Sequence, residues 1–447
     1  MKRILALTLL LSPAAWPQQR DISIEIVGST TRKIALSDLR GAGDAQKWME
    51  TFNATLFAEI QNSGIFDMVP KSNYPLDPPQ RQQDLRAPNA AGEDCKGRCL
   101  NDWAAKPVEA TYLAFGYAGV SNNSLVVYGW LYNATVPDLN GAQVFNKFYI
   151  GTLDEAGARK TALAFAADIL AQFGVQSLAG TKIYFVSERT RGTKEIWLMD
   201  PDGNNKKQLT SLKSISITPT VSTDGTKLAF TSFAKGTPRI YVYSLESGRF
   251  QPFVNYESSI NATPNFTPDG RQVVFSTKLG AFTNLAIANA DGSNMRPLTS
   301  VRAIEMEPKI NPKTGNEIVL TSGRSGSPQI YKMSIDGADA VRLTNGEGEA
   351  VNPCWHPNGQ FISFAWTRGF APGNRNVFIM DVATREVVQL TYGAGRNENP
   401  TWAPDGRHIV FASDRGGSLQ IWTMLANGKD LHQLTSEGVN SMPVWSK

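Results

Sequence analysis

The chain has 447 residues, 41% of them hydrophobic and 19% charged, so it is too long for one core and too apolar for a disordered chain; two domains are expected. Its formal charge is +4, and without Lys2 and Arg3 there remain 42 basic against 40 acidic residues with no long run of either sign. Nucleic acid, whose binding draws on many clustered cations, is disfavoured as a partner.

The first 17 residues read as a secretory leader, with Lys2 and Arg3 as the basic start, Ile4 to Leu11 as the apolar run and small residues from Ser12 to Ala15. That run is far shorter than the roughly 20 residues of a membrane-crossing helix. No later stretch qualifies either, so the mature chain is expected to be soluble, not membrane-spanning, in a periplasm-like compartment. The first cysteine is Cys95, so the leader lacks the thiol a lipoprotein would acylate.

Residues 18–175 form the first expected domain, an α/β unit. Asp44 to Ser63 sets Trp48, Phe52, Leu56 and Ile60 at i+4 spacing, and Asp154 to Phe173 aligns Leu163, Ala166, Ala167, Leu170 and Phe173; both read as amphipathic helices stopped by glycine. Candidate strands are Ile22 to Val27, Ile65 to Val69, Thr111 to Gly116, Leu125 to Tyr132 and Val144 to Ile150. Asn73 to Leu100 is a long polar loop carrying Cys95 and Cys99. In an oxidising compartment a local disulfide is favoured over two free thiols, and over a metal site that two ligands would leave incomplete. Cys354, between Pro353 and Trp355, reads as a buried free thiol. Gly174 to Gly180 is the linker.

From residue 181 to 447 the chain repeats. Pro219, Pro264, Pro308, Pro353, Pro400 and Pro443 stand 45, 44, 45, 47 and 43 residues apart, each followed two positions on by Val221, Phe266, Ile310, Trp355, Trp402 or Trp445. Tight turns follow five of them, for example Asp224-Gly225 and Asp405-Gly406, and then two β-rich runs and a Leu-Thr pair, which the second unit replaces with Phe253-Val254. Four strands per unit and six units predict a six-bladed β-propeller. The first unit lacks its inner strand and the chain ends on an orphan one, Pro443 to Trp445, so the C-terminal strand is expected to close the ring.

The search for chemistry is short. The three histidines, His356, His408 and His432, have no converging spacing. Gly323-Arg324-Ser325-Gly326-Ser327 lacks the last glycine of a nucleophile elbow. Glu305, Glu307 and Glu398 precede anchor prolines, and Ca2+ in the channel is the one cofactor they suggest, though no known loop spacing is met. Otherwise no cofactor, no metal and no catalytic residue is assigned. Strand direction puts the tight turns on one face and the longer segments, such as Ser300 to Glu307, Thr344 to Asn352 and Tyr392 to Asn399, on the other; binding is expected on the second, where loops on a rigid ring can vary.

The leader, the α/β unit with Ser63-Gly64-Ile65-Phe66 after its first helix, and blades reading Pro-x-Trp-x-Pro-Asp-Gly and Leu-Thr together resemble the TolB family over nearly the whole chain. The resemblance implies a non-enzymatic periplasmic scaffold of the Tol-Pal cell-envelope system. Such a scaffold binds the lipoprotein Pal at the propeller channel and TolA through the mature N-terminus, and it supports outer-membrane integrity and envelope constriction at division. Carried over by position before the anchor prolines, the Pal-contacting residues fall on Ile260, Thr263, Met306 and Glu307, with a pocket ringed by Glu307, Asn352, Asn399 and Asn440 and Glu398 beside it. The TolA segment falls on Gln18, Gln19, Arg20, Asp21, Ile22 and Ser23. A monomer is expected. The competing reading is a propeller adhesin or glycan binder using Tyr256, Trp366 and Tyr392, and behind it a propeller hydrolase or lyase.

Overall fold

The computed structural model describes residues 22–27, 32–87, 95–368, 374–393 and 395–446; the leader and Gln18 to Asp21 lie outside them. An α/β region precedes a six-bladed β-propeller.

The α/β sheet runs in the order Phe66–Met68, Arg32–Leu36, Tyr112–Ser121, Ser124–Asn133, Gln143–Thr152. The first two junctions are parallel and the last two antiparallel. Helix Met49–Asn62 buries Phe52, Leu56 and Ile60 against one face, as their i+4 spacing dictates. Helix Glu155–Ala171 is capped by Asp154, whose Oδ1 accepts the Gly157 N–H at 2.7 Å. Its buried stripe is Ala158, Ala162, Phe165, Ala166, Ile169 and Leu170, rotated from the expected one, with Leu163 only half-buried. The bulk of Phe165 sets the phase: it sits over Gly129, where any Cβ would come within 2.7 Å of its ring. The opposite sheet face is covered by Leu85 and Leu100 of the long polar segment, in which Cys95 and Cys99 are joined, S–S 1.98 Å, and by Trp103 and Val108 just after it.

One expected strand is a helix. Ile22–Val27 is α-helical, and the strand missed by the sequence reading is Arg32–Leu36. Alternation of Ile22, Ile24 and Ile26 suggests a strand, but Ile22 and Ile26 are also i and i+4 on a helix. Both pack into a propeller core cluster with Phe361, Val377, Trp402 and Ile409, where Ile22 is fully buried.

Each blade is a four-stranded antiparallel sheet. The inner strands are Ser216–Val221, Asn261–Phe266, Glu305–Ile310, Ala350–Trp355, Asn397–Trp402 and Val439–Ser446. The last of these pairs antiparallel with Lys182–Thr190, Trp445 opposite Ile183, and so closes the ring. The Leu-Thr pair has a defined job. The hydroxyls of Thr210, Thr299, Thr344, Thr391 and Thr435 accept the third-strand N–H groups of Ile196, Leu285, Ile330, Val377 and Ile421 at 2.9 to 3.0 Å. All five donate in turn to a neighbouring amide or carboxylate, as Thr344 does to Gln329 Oε1 at 2.7 Å and Thr299 to Asn284 Oδ1 at 3.2 Å. In the second unit Asn255 replaces this cap, accepting from Ile240 N–H at 2.8 Å and donating to Ile240 O at 3.0 Å.

Candidate partner-binding site at the channel mouth

Every inner strand has a register shift at its anchor proline. The residue before the proline is left-handed in all six: Thr218, Thr263, Glu307, Asn352, Asn399 and Met442 have φ between +49° and +58°. None is glycine, and a residue before proline is normally driven toward extended backbone; such conformations cost on the order of 1–3 kcal/mol each and persist where the surroundings fix them. These six residues and their prolines line the central channel.

Side chains fix the ring. Glu307 N–H donates to Thr263 Oγ1 at 3.3 Å, Asn352 N–H to Glu307 Oε2 at 2.9 Å, and Asn399 N–H to Asn352 Oδ1 at 3.3 Å. Thr218 N–H reaches Met442 Sδ at 3.4 Å, while Thr263 N–H uses Thr231 Oγ1, 2.8 Å from the Thr218 hydroxyl. The side chains of Thr263, Glu307, Asn352 and Met442 thus each meet the backbone N–H of the next blade that its bulge has turned inward, and Thr231 serves that of Thr263. Glu307 is the centre of the circuit, because it also accepts from Thr321 Oγ1 and Asn352 Nδ2, both at 2.7 Å.

Three positions before each ring residue lies the rim. Val439, Ile215, Ile260 and Ile304 occupy it on four consecutive blades, and Glu349 and Arg396 on the other two. Ile304 is 60% exposed. On the polar side Arg375 pairs with Glu349 at 3.0 Å and Glu398 at 3.2 Å, and Arg396 with Asp414 at 3.0 Å. The mouth therefore has an aliphatic arc facing an ion-paired one.

The structure brings Thr263, Glu307, Asn352 and Asn399 into the ring and Ile260 onto the rim. Met306 and Glu398 sit one residue before the ring, half-buried. Asn440 does not ring the channel. It is fully buried inside its blade, donating to Gln420 Oε1 at 2.7 Å and Glu437 O at 2.8 Å; the ring position of that blade is Met442, the residue directly before Pro443. Thr218 and Met442, and the rim residues Ile215, Ile304 and Val439, were missed, although counting back from each anchor proline would have found them.

The carboxylates suggested as shared ligands for calcium do not converge. Glu305 is buried against Arg324 at 2.7 Å, Glu307 belongs to the ring, and Glu398 pairs with Arg375. Among the described residues no group of three or more His, Cys, Asp or Glu is placed to hold a metal. Of the aromatic residues considered for sugar stacking, Tyr256 and Tyr392 are exposed, but Trp366 is buried at 1% and presents no face. Cys354 is free and half-buried, with its thiol pushed up by burial.

Residues 172–370 and 345–447 match the model of the TolB beta propeller domain. The chain belongs to the TolB propeller family. A TolB homolog from Chlorobium luteolum is 31% identical over 303 residues, 66% of this chain and 63% of that protein, so the chain spans less than two thirds of this relative's length. The Tol-Pal system protein TolB of Bordetella pertussis is 28% identical over 345 residues, 75% of this chain and 71% of the relative. The crystal structure of TolB from Acinetobacter baumannii superposes with a TM-score of 0.76 at 19% identity, covering 94% of this chain and 97% of that one, a likeness of fold. Among the described residues no helix is long and apolar enough to cross a membrane.

Proposed function

We propose that this chain is a periplasmic, non-enzymatic scaffold of the Tol-Pal system, exported by residues 1–17 and built as an α/β domain (18–175) and a propeller (181–447). It binds Pal at the channel mouth and TolA through Gln18 to Ser23, acts as a monomer, and supports outer-membrane integrity and constriction at division. The observation that carries this reading is the mouth itself: a strained ring held by its own side chains, beneath a rim whose aliphatic arc is open to solvent. Rigid, partly desolvated pockets edged by apolar anchors are where protein interfaces concentrate their energy. The names of the Chlorobium and Bordetella relatives support the assignment to this system.

The N-terminal segment supports a switch. Ile22 is buried in the propeller core cluster, so a partner that takes this segment must first lift it away, and linkage then couples that partner to any other site the release alters. Deleting Gln18 to Ser23 is expected to change Pal affinity; identical affinity would remove the switch from the reading.

The test is a calorimetric titration of the mature protein with the soluble domain of Pal from the same cell, with Glu307→Ala, Thr263→Ala and Ile304→Asp in parallel. Saturable binding weakened by these substitutions sustains the reading. No binding at any ionic strength overturns it and turns attention to a glycan at Tyr256 and Tyr392.

A further inference from the structure

At the opposite end of the channel from the mouth, the hairpin turn Asp405 to His408 meets the end of helix Met49–Asn62. His408 is buried, and both of its ring nitrogens face acceptors: Nδ1 lies 2.6 Å from Asp405 Oδ2 and Nε2 lies 2.8 Å from Asn62 O. A carboxylate and a carbonyl have no protons to give, so both contacts are hydrogen bonds only if the imidazole carries two protons. Beside it Arg407 donates to Gly64 O at 3.3 Å. Two cations of the propeller thus meet the carbonyls that end the helix, where the helix dipole is negative. Contact is close: a Cβ on Gly64, which has φ +64°, would come within 2.6 Å of Leu425 Cδ1.

We infer that His408 is a protonation-controlled fastener between the α/β region and the propeller, closed as imidazolium and loosened when the proton leaves. The groups around it come from every element packed against it. Asp405 and Arg407 belong to its own turn, Glu59 and Asn62 to the helix, Ser177 to the linker where its hydroxyl donates to Glu59 Oε1 at 2.8 Å, and Trp445 to the closing strand with its ring 6.2 Å away.

The sign follows from these neighbours. Burial opposes the charge on His408, but the Asp405 carboxylate and the hydrogen bonds to Asp405 and Asn62 outweigh burial and the repulsion from Arg407, raising its pKa above the ordinary range. Asp405 is itself held below the usual carboxylate range: burial works against its charge, and the attraction and hydrogen bond of His408 prevail. Burial raises Glu59, so Glu59 loses its charge before Asp405 as the pH falls. The fastening is complete at pH values below the ordinary histidine range and is lost as pH rises through the raised His408 value; on the acid side it persists until Asp405 protonates.

The chain has three histidines, which makes the imidazole resonances of the intact mature protein separable by NMR. His408 is expected to titrate above the ordinary histidine value of roughly 6.5 with both ring nitrogens protonated, and Asp405→Asn to bring it down. A spin-label pair, one label on the helix Met49–Asn62 and one on an outer blade strand, reads the joint. Raising the pH from about 6 to about 9 is expected to increase the separated population roughly tenfold, the weight of one charge-assisted hydrogen bond. In His408→Gln the separated population is expected to be high at both pH values. If His408→Gln fails to fold, Asp405→Asn serves in its place. A neutral His408 at pH 6, or distances in the parent protein that do not respond to pH, overturns the inference. None of these readouts involves Pal, so they stand apart from the proposed function.

Discussion

The two ends of the propeller are made from the same six strands yet solve opposite problems. At the mouth the strands enter through bulges whose left-handed residues turn N–H groups toward the channel, and a circuit of side chains from Thr263 through Glu307 and Asn352 to Asn399 satisfies them. Nothing in the described chain covers this end. At the other end five blades carry tight glycine turns, and the turn Asp405 to His408 is covered by the α/β region through His408 and Arg407. Strain is therefore held where the surface is open, and charge is buried where two parts of the chain meet. Ring residues should be costly to change and rim residues cheap, and the closing strand, which runs from one end to the other, should be the costliest.

The largest effect is expected there. Trp445 is 7% exposed, packs with Ile183, Phe185 and Leu434, and donates its indole N–H to Thr181 Oγ1 at 2.9 Å. Trp445→Ala should destabilise the protein by about 3–5 kcal/mol, measured by urea denaturation, and reduce cooperativity by weakening the seam. An effect below about 1 kcal/mol would mean that the ring does not depend on the contacts of this strand.

The ring comes next. Glu307→Ala removes the acceptor for Thr321 Oγ1, Asn352 N–H and Asn352 Nδ2 and keeps a left-handed residue that alanine tolerates poorly. A loss of about 1–3 kcal/mol is expected, because water can replace part of what is removed at a half-buried site. Glu307→Gly separates the two causes. It relieves the backbone but loses the same bonds, so a smaller loss than for alanine measures the stored strain.

How much of this was legible in the sequence depended on whether the cause was local. The blades could be read because a proline, a tight turn and a Leu-Thr cap recur at near-constant spacing, and each has a backbone reason to stay in place. Four of the six ring positions are legible, since Thr263, Glu307, Asn352 and Asn399 stand next to a proline, whereas Asn440 resembles these polar residues more than Met442 does and takes its place in the sequence pattern. In the fold Asn440 belongs to a different register position and spends its amide inside the blade. His408 gives no local signal in the sequence because its meaning lies in Asn62, 346 residues away. Ile22–Val27 failed for the same reason, since alternation is a local signal and its partners Phe361 and Trp402 are not.

The smallest effect on stability is also the one that most sharpens the contrast. Ile304 is 60% exposed at the rim, so Ile304→Asp removes little buried area and should move stability by less than about 0.5 kcal/mol. If the aliphatic arc is the anchor surface, the same substitution puts an unpaired charge in the contact and should weaken Pal binding by roughly tenfold or more. Arg396→Ala, on the ion-paired arc and nearly as exposed, is the matched control. It breaks a surface pair with Asp414 of the kind that contributes little, and is expected to leave stability unchanged and affinity within about threefold. Calorimetry on the two variants side by side distinguishes the arcs: equal losses would make the mouth a uniform collar, whereas a loss confined to Ile304→Asp would place the contact on the aliphatic side of the rim.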